Sequence, residues 1–183
     1  FLFAKPKHYF VRIKTSKGEC IIMLYNQTPK HRDNFLKLTR DGFYNGTLFH
    51  RVIKEFMIQG GDPDSKTAKP GQALGEGDLN YRIEAEFNDS LFHKKGVLAA
   101  ARDDNPKKES SASQFYLVQG KKWTDETLDA VIMNRMNGRI MPESQRKVYK
   151  ELGGSPHLDQ KYTVYGEVVS GVEMIDHIAT VET

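Results

Sequence analysis

The sequence predicts a mainly β domain, a closed antiparallel barrel or a sandwich, on three observations. Short β-prone runs recur along most of the chain, each bounded by turn-forming residues. The first two are spaced as a hairpin, and outside one region only two helical patterns occur. Periodicity alone does not choose between barrel and sandwich. With 183 residues the chain is long enough for one domain with a sizeable core and too short for two comfortable ones.

The elements follow in order. His8 to Thr15 and Cys20 to Tyr25 flank Ser16-Lys17-Gly18-Glu19, the turn chemistry of a β-hairpin. Thr28 is placed to cap a helix with Pro29 in its first turn, an apolar face of Phe35, Leu36 and Leu38, and an end before Gly42. Asn45-Gly46 makes a turn, Thr47 to Ile53 and Phe56 to Gln59 are strands, and Gly60-Gly61-Asp62-Pro63 breaks the second. Residues 64–80, rich in Gly, Lys and Pro, form a surface loop, and a polar loop follows at Arg102 to Ser111. Further strands lie at Gly96 to Ala101, Gln114 to Val118 and Tyr162 to Val169, and a last helix at Val172 to Ala179.

Residues 121–156 differ in character. Asp125 to Met136 and Pro142 to Leu152 are helical in pattern, the second with Pro142 at its first turn and Gly153-Gly154 as its stop. They read as a helical hairpin inserted into the β domain.

Composition narrows the function classes. No apolar run approaches the roughly 18 to 20 residues needed to cross a bilayer, so no membrane span is expected. Lys and Arg exceed Asp and Glu by 27 to 24 and are spread along the chain, so no nucleic-acid partner is expected. The single cysteine, Cys20, excludes an internal disulfide and a thiolate metal cluster. The chain begins at Phe1, and Phe1-Leu2-Phe3-Ala4 is too short for a signal peptide. A processed or trimmed N-terminus is expected, with an exported location, periplasmic or lipoprotein-anchored, favoured over a cytoplasmic one.

Several motifs lack their context. His31-Arg32-Asp33 matches the start of a kinase catalytic loop, but it lies in a helical pattern with no Asp-Phe-Gly triplet after it, and it reads as a solvated helix face. Gly71, Gly75 and Gly77 lack the strand and helix of a dinucleotide site. The six histidines show no metal-ligand spacing, so no metal or other cofactor is expected. Without a Gly-x-Ser-x-Gly elbow, Ser110, Ser111 and Ser113 read as loop residues.

What remains is Phe49-His50-Arg51-Val52-Ile53-Lys54-Glu55-Phe56-Met57-Ile58-Gln59-Gly60-Gly61-Asp62. Strand alternation puts Phe49, Arg51 and Ile53 on one side and His50 and Val52 on the other, and pairs Met57 with Gln59 and Phe56 with Ile58. An arginine and a glutamine then border apolar residues. An isolated strand arginine more often packs its stem and sends its head to solvent.

This stretch resembles the signature of the cyclophilin family. Asn45-Gly46, Gly96 to Ala101, Ser113-Gln114-Phe115-Tyr116-Leu117, Leu158-Asp159 and Tyr165-Gly166-Glu167-Val168 support the resemblance, which runs from about residue 8 to the C-terminus. It implies a closed eight-stranded antiparallel barrel capped by two helices, the first at Pro29 to Arg40 and the last one. Residues 8–183 would form the domain, with 121–156 inserted in the manner of bacterial members and 1–7 as an N-terminal extension. The implied activity is peptidyl-prolyl cis-trans isomerisation, on proline-containing peptides and unfolded or partly folded proteins, by a monomer.

Carried over by position, the catalytic residue is Arg51, and the proline pocket is Phe56, Met57, Tyr116 and Leu158. Gln59 and Gln114 are polar neighbours, and Ala101 offers its backbone to the peptide. His157 and Tyr162 stand at the rim, where the family often has Trp and His, and Tyr116 replaces a common Phe. Arg102-Asp103 replaces a small neutral pair, implying altered selection beside the proline, and His157 implies weak binding of cyclosporin-like inhibitors. Two other readings stay open: a proline-peptide binding or chaperone module with little catalysis, and an adaptor that works through the 121–156 hairpin.

Overall fold

A computed structural model describes residues 7–182. The chain opens with the expected hairpin: β1 (Tyr9–Thr15) pairs antiparallel with β2 (Gly18–Leu24), Thr15 opposite Gly18, which leaves a two-residue turn at Ser16-Lys17. The first helix, α1, covers Pro29–Arg40 and buries Phe35, Leu36 and Leu38. Then come β3 (Arg51–Ile53), β4 (Met57–Gly60), a 3-10 turn at Pro63–Thr67, and β5 (Arg82–Ile83). They are followed by β6 (Val97–Ala100), β7 (Ser110–Ser111), β8 (Phe115–Val118), α2 (Asp125–Arg135) and α3 (Glu143–Glu151). A 3-10 turn at Pro156–Leu158, β9 (Val164–Ser170) and α4 (Glu173–Ile178) complete the chain.

Seven strands form one curled antiparallel sheet in the order β1-β2-β9-β6-β8-β4-β3, and β5 and β7 make a separate pair. The mainly β expectation holds: the large sheet has seven strands, and among the described residues its two end strands β1 and β3 are not paired with each other. Residues 1–6 of the expected N-terminal extension lie outside the described residues.

Alternation in the central strands builds two cores on the two faces of this sheet. Ile58, Leu98, Ala100, Phe115 and Leu117 join Ile22, Leu24, Phe35, Met174 and Ile175, so α1 and α4 cover one face. Met57, Val97, Ala99, Tyr116 and Val118 point the other way and meet Leu158 and Val164. A third cluster, with Leu128, Val131, Met136 and Tyr149, packs α2 on α3.

Four local expectations are corrected. Thr28 makes no cap; its hydroxyl is buried without a partner, and the first N–H groups of α1 go instead to the Glu86 carboxylate, Lys30 N–H to Oε1 and His31 N–H to Oε2, each at 3.0 Å. His31 is not on a solvated face: it is buried, with Nδ1 at 2.7 Å from Glu86 and Nε2 at 2.9 Å from Ser110 Oγ. Ser110 and Ser111 are strand residues, paired with Ile83 and Arg82. Ser, His and Glu thus stand in line as in a hydrolase triad, but Ser110 is 1% exposed, so no substrate reaches it and the trio ties α1 to the β5–β7 pair. Pro142 precedes α3 rather than lying in its first turn.

Candidate active site

Arg51 and Gln59 face each other across the β3–β4 ladder, and Gln59 is in turn opposite Tyr116 on β8. This register sets a cation, an amide and an aromatic ring side by side on the outer face of the sheet. Arg51 Nη1 donates to Gln59 Oε1 at 3.2 Å, and Gln59 Nε2 donates to Gln114 Oε1 at 2.9 Å. Gln114 Nε2 donates to the carbonyls of Gly75 and Gly77 at 2.8 and 2.6 Å. The chain of amides fixes the arginine head and anchors the 64–80 loop beside it. Asp62, fully buried, holds the same loop by accepting from the Asp64 and Gly75 N–H groups at 2.8 and 2.5 Å.

Phe56 is placed by the turn that joins β3 to β4. Glu55 takes a left-handed φ of 61°, and its N–H donates to Gln119 Oε1 at 2.6 Å. The Phe56 carbonyl accepts from the N–H groups of Gln119 and Gly120 at 3.0 and 2.9 Å.

A cavity of about 290 Å³ opens here, lined by Arg51, Phe56, Met57, Gln59, Ala101, Tyr116, Leu158 and Tyr162. Eight of the ten residues expected at the site therefore converge on one hollow. Its floor is apolar and its mouth carries the guanidinium. The other two stand behind the wall. Gln114 is bonded to Gln59, and His157 stacks on Phe56 with ring centroids 5.6 Å apart. Burial, with the Arg135 and Lys161 charges adding to it, pushes the His157 imidazole down to about 4, against an opposing pull from Asp159.

Strand alternation misplaced part of this. Phe49 packs with Val52 on the inner core, whereas Arg51 and Ile53 are exposed. The cause is that regular strand begins only at Arg51. His50 consequently turns into the cavity beside Arg51, a residue the alternation had assigned to the opposite side. Both of its ring nitrogens are buried, and burial shifts its imidazole down, against the pull of Asp62 and the Leu48 backbone. Leu74, Gly75 and Glu76 also line the hollow, brought there by the loop, and no local signal in the sequence marks them.

Arg102 lies in the lining, but its guanidinium is 4.7 Å from the Tyr162 ring and donates to the carbonyls of Lys161 and Asp103 at 2.9 and 2.8 Å. Asp103 points elsewhere, into a bidentate pair with Arg82 at 2.6 and 2.7 Å. Tyr116 meets Tyr162 edge-on at 6.0 Å, and burial raises its phenol well above the usual range, with Tyr162 and Asp159 adding to the shift and Arg102 opposing it.

Comparison with known proteins bears on the chain as a whole. Residues 10–183 match the family described as cyclophilin type peptidyl-prolyl cis-trans isomerase. A Staphylococcus saprophyticus protein assigned the name peptidyl-prolyl cis-trans isomerase is 36% identical over 166 residues, covering 90% of this chain and 78% of that protein. A Streptococcus pyogenes protein assigned as a bifunctional phosphatase/peptidyl-prolyl cis-trans isomerase is 38% identical over 176 residues, covering 94% of this chain but 34% of the longer relative. Among solved structures, a Cryptosporidium parvum cyclophilin type peptidyl-prolyl cis-trans isomerase superposes with a TM-score of 0.67 at 24% identity, covering 97% of this chain and 87% of that one. The same protein was also crystallised in the presence of the dipeptide ala-pro, with a TM-score of 0.65. The chain belongs to the cyclophilin-type peptidyl-prolyl cis-trans isomerase family.

Proposed function

We propose that the Arg51 hollow catalyses rotation about Xaa-Pro peptide bonds in peptides and in unfolded or partly folded proteins. The observation that carries this is a guanidinium, held by Gln59, at the mouth of an apolar well made by Phe56, Met57, Tyr116 and Leu158. Amide rotation faces a barrier of roughly 18 to 20 kcal/mol because the nitrogen lone pair is delocalised into the carbonyl. No bond is broken, so the catalytic task is to favour the twisted amide electrostatically.

The well holds the proline ring, and Met57 adapts to its pucker. With the ring held, the preceding carbonyl swings. As the nitrogen becomes pyramidal its lone pair localises, and Arg51 donates a hydrogen bond to it or to the adjacent carbonyl. The Ala101 backbone and the His50 ring line the same hollow, where the peptide on either side of the proline would lie.

Arg51→Ala is expected to keep the fold and lower turnover at least about tenfold, equivalent to roughly 1.4 kcal/mol of transition-state stabilisation. A protease-coupled assay on a proline tetrapeptide checks this, and unchanged turnover would remove Arg51 from the mechanism. Peptide binding without turnover in the wild type would identify a binding module instead.

A hollow of about 690 Å³ lies between β1 and the segment leading into β3, lined by Val11, Ile13, Phe49 and Phe115 among others. The expected strand begins at Thr47, and pairing of residues 47–49, which line this hollow, with β1 would close the sheet into a barrel. Residues 121–156 read as an insertion because α2 and α3 bury a cluster of their own.

A further inference from the structure

We propose that α3 belongs to the proline site through a buried relay, in which Tyr149, Asp159 and His93 are positioning residues that fix the Tyr116 wall. The proposal rests on the proline-isomerase reading of the Arg51 hollow. Tyr149 Oη donates to Asp159 Oδ2 at 2.7 Å. Asp159 Oδ1 accepts from His93 N–H at 2.8 Å and from His93 Nδ1 at 2.9 Å. His93 Nε2 is 2.9 Å from Tyr116 Oη. All four residues are buried, with exposures of 0, 5, 0 and 4% in that order.

Hydrogen-bond capacity sets the direction of this chain. A carboxylate only accepts, so the 2.9 Å contact requires the proton on His93 Nδ1. Nε2 is then the ring atom left to the Tyr116 hydroxyl, and this contact turns the hydroxyl away from the cavity. The hollow therefore meets the tyrosine as a ring whose tilt is set from behind. A buried carboxylate is tolerated when its lone pairs are met, and here two residues supply every contact described.

The backbone keeps the parts in place. Ser155 N–H donates to the His93 carbonyl at 2.8 Å, and Gly154 lies so close to that carbonyl and to the Tyr149 ring that a Cβ would strike both. A solely structural network would support the same contacts but would leave substrate affinity indifferent to the Tyr149 hydroxyl. The relay makes the opposite demand, because the hydroxyl's effect must pass through Tyr116.

The test is a double-mutant cycle of Tyr149→Phe and Tyr116→Phe, read as KM and kcat on a proline tetrapeptide and as the dissociation constant of the same peptide by direct titration. Tyr149→Phe alone is expected to raise KM and the dissociation constant about threefold to tenfold while kcat changes less than about twofold. In the Tyr116→Phe background the same substitution is expected to have no further effect. Emission from Trp123, the one tryptophan, which packs in the Tyr149 cluster, confirms that α3 stays docked. Unchanged affinity with Tyr149→Phe, or an equal loss in both backgrounds, overturns the relay. Failure of the isomerase reading shows separately, as absent turnover in the wild type, while the titration still decides the relay.

Discussion

Arg51 illustrates what a single residue discloses and what it does not. Its identity and its β3–β4 setting were legible because the strand–turn–strand pattern around it is local. The company it keeps was only partly legible, since His50 reaches the cavity through a backbone that is not yet regular strand and Glu76 through a loop held by Asp62. His157 shows the same limit: sequence places it at the rim, whereas the structure puts it behind Phe56. That placement has a pH consequence. The folded state keeps the imidazole neutral down to about pH 4, while an unfolded chain protonates it near its ordinary value of 6.5. Between these values the unfolded state binds the extra proton, so stability is expected to fall as pH is lowered from 6.5 towards 4. Discounted for its partial exposure, the loss is about 1 kcal/mol. Urea midpoints measured across this window for the wild type and His157→Asn check it; an equally steep slope in the variant would assign the loss to other groups.

At the scale of elements, the helices and most strands were legible because their signals are periodic and local. What holds them was not, because it comes from far along the chain. The start of α1 is the clearest case. Its capping group is Glu86 rather than Thr28, and the same carboxylate binds the His31 side chain. A sequence window around Pro29 contains no trace of that partner. Glu86→Ala removes the acceptor of two helix N–H groups and leaves a buried imidazole short of a partner, an expected cost of about 2 kcal/mol. Glu84 is the control. It pairs with Lys30 on the surface with a 69% exposed side chain, so Glu84→Ala is expected to shift the denaturation midpoint far less than Glu86→Ala. Equal shifts in the denaturation midpoint for the two variants would mean that Glu86 is no more than a surface charge. Gly153-Gly154 repeats the lesson: the pair does end α3, yet Gly154 is there because His93 and Tyr149 leave no space for a side chain.

The whole molecule is one curled sheet used on both faces, and this explains why Gly96 to Ala101 shows no apolar–polar alternation. Val97, Leu98, Ala99 and Ala100 are all buried, two towards the α1–α4 core and two towards the cluster that carries the proline hollow. The floor of the site and the main core are therefore opposite sides of the same strands, and the site inherits the rigidity of the sheet centre. Sequence could indicate that a strand lies there, but a uniformly apolar run does not say which residue faces which side. The sheet order makes the mechanical claim measurable. β6 and β8 lie inside it with partners on both sides, and β1 ends it. Buried strands with two partners open only with the whole fold, whereas an end strand opens locally at lower free energy. In native-state hydrogen exchange, amides of Leu98, Tyr116 and Leu117 are expected to be the slowest and to share one opening free energy, with those of β1 faster. Arg51→Ala is expected to leave this order unchanged, since its guanidinium holds no strand together. If Tyr116 exchanged as fast as β1, the wall of the hollow would be a locally mobile surface, and preorganisation of the proline well by the sheet would have to be abandoned.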